Sequence, residues 1–235
     1  MTDLAAQVLV IAKAPVPGQV KTRLTPPFSP GEAAWLAEAA LADTLDAVRS
    51  TRVVRRVLAL AGEPGGWLGD GFEVIAQRGE DLDERITAAM WDTYSGLPLP
   101  TVLIGMDTPQ VTPGLLEEAA APLARAEADA AFGAAEDGGF WMLGLRRPDP
   151  GLMLGVPMSE PATGRVQLER LVQAGLRVHL APKLADVDTF TDAARVARLA
   201  PASLFAAALA ATLSAPVQPD EMAGPGTAAE HAPAH

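Results

Sequence analysis

QVLVIAKAPVPGQVKTRL, residues 7–24, joins an apolar run to a loop that cannot be regular. QVLVIA (7–12) is almost wholly apolar, the pattern of a strand covered on both faces. Pro15, Pro17 and Gly18 then break the chain's regularity, and Lys13, Lys21 and Arg23 crowd into the same short stretch. A second run of this kind, TVLIGM (101–106), leads directly into Asp107. Strands buried on both faces belong to parallel sheets, whose ligands sit in the crevice beyond the strands' carboxyl ends.

Outward from these two runs, β-like and helix-like segments alternate. The other β candidates are VVRRVLAL (53–60), FEVIAQ (72–77), DAAFGA (129–134), FWMLGL (140–145) and LRVHLA (176–181). Helix starts lie between them. Ser29-Pro30-Gly31-Glu32 has the layout of a capping box with proline at the first helical position. Thr112-Pro113 opens a helix in the same way, and Thr189 with Asp192 resembles another capping box. Alternation of this type predicts an α/β fold with a mostly parallel central sheet flanked by helices. Residues 1–214 read as one domain. From Ala215 the chain is rich in Pro, Gly and Ala, and 215–235 reads as a disordered tail.

The chain has 235 residues, 49% of them hydrophobic, enough for a sizeable core. With 18 Lys plus Arg against 29 Asp plus Glu, its net charge of −11 argues against nucleic acid or an anionic membrane as partner. The absence of cysteine removes thiolate chemistry and fits a reducing compartment. The N-terminus lacks the basic start of a signal peptide, and the Ala-rich stretch 204–213 is too short to span a bilayer. A cytoplasmic protein is the expectation. The sequence sets no oligomeric state.

Several short stretches carry chemistry. In the loop after the first run, Pro15 and Pro17 restrict the backbone, Gly18 permits close approach, and Lys21 and Arg23 supply charge for a phosphate chain. The loop is neither a Walker A sequence nor GxGxxG. The alternative is a stiff connection with solvated cations. Asp107 stands where a carboxylate could hold Mg²⁺, or could merely cap the Thr108-Pro109 turn. Asp137-Gly138 between two apolar runs is a hairpin signal. Its paired glycines, Gly138 and Gly139, could also admit a base or acceptor, with Glu136 or Asp137 in contact. In LADVDTFTDA (184–193), Asp186 and Asp188 alternate along an extended stretch and are expected on opposite faces. Only one then joins Asp107. With Thr189 and Asp192 taken as helix-start residues, Asp188 is the better candidate; the alternative is that all three acids are simply solvated. His179 reads as an ordinary strand residue, and Trp35 and Trp91 as helix core positions. No Ser-His-Asp set or metal-binding histidine pair can be assembled.

Taken in order, AKAPVPGQVKTRL, LIGMDTP, AAEDGGFWMLGLRRP and LADVDTFTDA resemble the DUF2064 family, also called selenodomain-associated transferase 1. The resemblance spans about residues 7–200. It implies a Rossmann-like nucleotide-diphospho-sugar transferase domain of the glycosyltransferase-A type, similar to 2-phospho-L-lactate guanylyltransferase. On that resemblance Lys13, Lys21 and Arg23 take the nucleotide phosphates, Asp107 and Asp188 hold Mg²⁺ or Mn²⁺, and Gly138 and Gly139 line the acceptor or nucleotide pocket. The implied reaction moves an NMP, GMP among the options, from an NTP to a small phosphorylated acceptor. Two others are a glycosyltransferase with a nucleotide-sugar donor, using Asp137 or Glu136, and a non-catalytic nucleotide-binding protein. One stretch departs from the family: VPMSEPATG (156–164) stands where relatives read IPWST, with Met158 and Glu160 replacing Trp and Thr.

Overall fold

The computed structural model describes residues 2–214, and the tail from Ala215 lies outside them. The chain runs β1 (Leu4–Lys13), α1 (Pro30–Ser50), β2 (Val53–Ala61), β3 (Glu73–Ala76), α2 (Leu82–Gly96), β4 (Thr101–Ile104), α3 (Pro113–Ala124), β5 (Ala130–Ala134), β6 (Phe140–Leu145), α4 (Thr163–Gln173), β7 (Val178–Leu180), α5 (Phe190–Leu199) and α6 (Leu204–Ser214). Each expected β run forms a strand, and all lie in one sheet ordered β3-β2-β1-β4-β6-β5-β7. β3, β2, β1 and β4 pair in parallel, as do β5 and β7. β6 alone runs against its neighbours β4 and β5. The Asp137-Gly138 hairpin signal is therefore borne out as the β5–β6 connection.

The helix starts follow from local chemistry. The Glu32 amide donates to Ser29 Oγ at 3.2 Å while the Glu32 carboxylate accepts the Ser29 amide at 2.7 Å, a reciprocal cap with Pro30 just inside α1. Thr189 and Asp192 make the same exchange before α5, and Thr112 caps α3.

Alternation along β1 explains its unbroken apolarity. Val8, Val10 and Ala12 pack against Leu41, Leu45 and Val48 of α1 and Leu116 of α3. Leu9, from the other face, packs with Val57 of β2, Ile86 and Met90 of α2, and Leu171 of α4. A third cluster seats Phe205 of α6 and Val196 of α5 against Leu36 of α1, together with Leu24 and Phe28 from the loop after β1. The Ala-rich stretch is thus a packed helix. Among the described residues no helix is long and apolar enough to cross a membrane.

The expectation for two tryptophans is corrected here. Trp35 is 45% exposed and Trp91 49% exposed, because α1 turns Leu36, Ala37, Ala40 and Leu41 inward and α2 turns Ile86, Ala89 and Met90 inward. Trp141 of β6 is the buried one, and its indole donates to the Pro182 carbonyl at 3.0 Å.

Candidate active site

The parallel strands end together on one edge, and antiparallel β6 begins there. After β1 the chain turns through Pro15–Gly18. It reaches Lys21 in the left-handed region, φ 49°, at the head of a short 3-10 helix, Thr22–Leu24. Buried Leu24 anchors that turn in the third core cluster. Lys21 Nζ lies 2.6 Å from Asp107 Oδ1 beyond β4 and also donates to the Val187 carbonyl. Its side chain is only 8% exposed. Arg23 donates to Asp188 at 2.6 Å. A non-glycine residue held at positive φ is sparsely populated and strained, and such residues cluster at functional sites.

The segment carrying Asp186 and Asp188 reaches this edge by stitching. Leu184 bridges Ala135 in parallel, the Val187 amide donates to the Asp107 carbonyl at 3.0 Å, and the Gln110 side-chain amide donates to the Ala185 carbonyl. A cavity of about 950 Å³ opens here, lined by the cations Lys13, Lys21 and Arg23 and by the carboxylates Asp107, Asp186 and Asp188. The expectation that Asp186 turns away from Asp188 is therefore corrected. Residues two apart in an extended chain share a face, and both carboxylates meet the cavity. Asp186 is the candidate that sequence reasoning set aside, and the DxD spacing was the signal that could have kept it.

Asp186 is unlike its neighbours. Its buried Oδ1 has no hydrogen-bond partner among the described residues. Burial first, then the charges of Asp107 and Asp137, push its carboxyl up from 3.8 to about 7. A carboxyl raised on folding stabilises the protein below the unfolded-state value. That stability is lost as pH rises from about 4 through about 7. Asp186→Asn, free of metal and nucleotide, should therefore outlast the parent by about 1–3 kcal/mol at pH 8, with the gap closing toward pH 4. Melting curves across pH check this, and a gap that widens toward acid contradicts it.

Other expected positions separate. Lys13 and Gly139 line the cavity. Pro15 and Gly18 do not: the turn carries them to the rim, where Gly18 borders a separate recess of about 150 Å³ with Val20, Thr22, Thr25 and Pro30. Gly138 does not line it either. Its φ is 98°, and a Cβ there would come within 2.1 Å of the Pro161 carbonyl, so its close approach is to the chain before α4. Glu136 is held in an ion pair with Arg195 of α5, whereas Asp137 faces the cavity. Gln77 and Arg85, which the sequence did not single out, also line it.

Among the described residues no three Asp, Glu or His side chains converge tightly enough to enclose a cation by themselves. The chemistry present nevertheless suits a hard cation. Asp107 and Asp188 offer carboxylate oxygens, and the orphaned Oδ1 of Asp186 lies beside them. Mg²⁺ takes one or two carboxylates and completes its shell with phosphate oxygens and water. The set fits a site that a nucleotide would finish.

This architecture is shared with nucleotide-dependent transferases. A protein of Desulfovibrio desulfuricans G20, provisionally named a nucleotide-diphospho-sugar transferase, superposes with a TM-score of 0.81 at 28% identity, covering 91% of this chain and 96% of that one. Rv0371c of Mycobacterium tuberculosis H37Rv, solved in complex with manganese, has a TM-score of 0.52 at 20% identity over 82% and 97% of the two chains. CMP:2-keto-3-deoxy-manno-octonic acid synthetase complexed with CTP has a TM-score of 0.50 at 14% identity over 84% and 98%. The last two likenesses concern the fold alone. In sequence, residues 44–160 match the family described as uncharacterized protein conserved in bacteria (DUF2064), which bears out the resemblance to that family. That stretch contains Asp107 and the Asp137 hairpin, while the basic loop and the Asp186–Asp188 segment lie on either side of it. No curated protein matches the chain.

Proposed function

We propose that residues 1–214 form a Mg²⁺-dependent nucleotidyltransferase domain, which moves a nucleoside monophosphate from an NTP to a small acceptor and releases pyrophosphate. The observation that carries this reading is the crossed pair of contacts Lys21–Asp107 and Arg23–Asp188 at the mouth of one cavity. Each cation neutralises a carboxylate that has no other strong partner there. A metal-bound triphosphate offers both sets a better one: phosphate oxygens for Lys21 and Arg23, and the cation for Asp107 and Asp188.

Bound at these carboxylates, Mg²⁺ would offset phosphate charge and sharpen the electrophilic α-phosphorus. The chain's own part is to orient the polyphosphate and hold cations where charge develops on the leaving group. The acceptor oxygen forms a bond to the α-phosphorus, the bond from that phosphorus to the bridging oxygen breaks, and pyrophosphate departs beside Lys21 and Arg23. A phosphorylated acceptor brings an ionised oxygen and needs no base. A neutral hydroxyl would surrender its proton to a carboxylate that lines the cavity, Asp137 and Asp186 among them.

Asp137 favours a second reading. Its carboxylate lines the same cavity, where glycosyl transfer from a nucleotide-sugar would want one, and the Desulfovibrio relative carries a name of that kind. The amount of cationic charge in the basic loop supports the first reading, since a departing pyrophosphate needs more of it than a diphosphate. Incubation with α-phosphate-labelled NTP, Mg²⁺ and a small-molecule extract should move label into a new product with one pyrophosphate released per transfer. Nucleoside diphosphate released from sugar-labelled donors, with NTP untouched, would instead establish glycosyl transfer.

A further inference from the structure

Gln77 and Arg85 occupy the end of the cavity away from Asp137, beside the apolar side chains of Ile11, Leu82, Ile86 and Leu103. Leu82 is 41% exposed, an apolar surface left open toward the cavity mouth. Flat apolar walls with a few fixed polar groups are the make-up of a small-molecule subsite.

The two polar groups are fixed, and each is fixed in only one sense. Gln77 Nε2 donates to the Ala12 carbonyl at 2.7 Å and the Ala59 carbonyl at 2.9 Å. Both contacts are to acceptors, so the amide cannot be reversed and both its protons are used. What remains for a ligand is Oε1, an acceptor only. Arg85 donates through Nε to the Gly79 carbonyl at 3.1 Å and through Nη2 to the Glu80 carbonyl at 2.7 Å. That engages one edge of the guanidinium and leaves the Nη1–Nη2 edge, a fork of two parallel donors.

We infer that Arg85 and Gln77 read the base of the donor nucleotide, and that the base is guanine or cytosine. The inference rests on the nucleotidyl-transfer reading above. A two-donor fork and a lone acceptor lining one cavity complement a base edge that presents acceptor, acceptor, donor in sequence. Guanine presents it as N7, O6 and N1–H, and cytosine as O2, N3 and N4–H. Adenine and uracil alternate acceptor and donor along their edges, so either would set a fork donor of Arg85 against a base N–H. A bidentate arginine contact to adjacent base acceptors is a strong source of discrimination.

Thermal-shift titrations with Mg²⁺ and each of the four NTPs, with inorganic tripolyphosphate as the base-free probe, test this. GTP or CTP should bind about tenfold or more tightly than ATP and UTP. Gln77→Leu and Arg85→Lys should erase that preference while leaving tripolyphosphate affinity unchanged. ATP or UTP bound as tightly as GTP and CTP would overturn the base assignment, as would a preference that survives both variants. Tripolyphosphate binding without any added gain from a base also overturns it, yet leaves the phosphate site standing. If neither tripolyphosphate nor any NTP binds, the donor reading beneath it falls as well.

Discussion

Asp107→Ala lowers metal-dependent turnover by about 10²–10⁴-fold on the nucleotidyl-transfer account. A cation stabilising transition-state charge contributes several kcal/mol, and each 1.36 kcal/mol is a factor of ten. The substitution also leaves Lys21, whose side chain is only 8% exposed, facing the Val187 carbonyl without its ion-pair partner. The binding of free, metal-stripped NTP should therefore hold or tighten while turnover collapses. That split distinguishes a metal ligand from a residue that only supports the fold, which would lose both together. A non-catalytic nucleotide-binding protein would show no turnover to lose in the parent.

Gly138→Ala should be the most damaging single-methyl change in the site's frame, at about 3–5 kcal/mol. Two penalties coincide. The residue sits at φ 98°, and the new Cβ would lie 2.1 Å from the Pro161 carbonyl oxygen, a backbone atom that cannot swing aside. The chain before α4 is tied to this turn, since the Gly164 amide donates to the Gly138 carbonyl at 2.8 Å. Forcing them apart moves Asp137 and the Met158–Pro161 wall of the cavity together. Gly18→Ala is the control: φ is 76° there too, but no atom lies within 4 Å of the added carbon, so about 1–2 kcal/mol is expected. Urea unfolding of both variants measures the difference. Equal losses would mean that the packing against Pro161 is not what holds the turn.

Much of the fold was legible because the sheet is buried on both faces. Val8, Leu9 and Val10 need apolar partners on alternate sides, so the sequence there can only be continuous and apolar. Caps were legible for a similar reason: Ser29 with Glu32 and Thr189 with Asp192 satisfy helix-start amides within four residues. That Lys21, Arg23 and Asp107 line one cavity was legible because residue type and a nearby strand end both pointed to the same edge. Legibility failed where tertiary packing decides. Gly138 answers to Pro161, a contact across the cavity wall that local spacing cannot show. Gln77 and Arg85 look like ordinary polar residues until their partners, the carbonyls of Ala12, Ala59, Gly79 and Glu80, fix which atoms remain free. The misjudged orientation of Asp186 was of another kind, since period-two geometry sufficed to pair it with Asp188.

The central claim is that this cavity takes a metal-bound triphosphate as donor, and a melting-temperature panel addresses it most directly. The protein would be melted with Mg²⁺ and each NTP, then with UDP-, GDP- and ADP-sugars, every condition repeated in EDTA. A ligand at a hundredfold excess over its Kd adds about 2.7 kcal/mol, well above detection. The account predicts a large shift with an NTP that EDTA abolishes, and a smaller one or none with the nucleotide-sugars. A metal-dependent shift with a nucleotide-sugar and none with any NTP would contradict it.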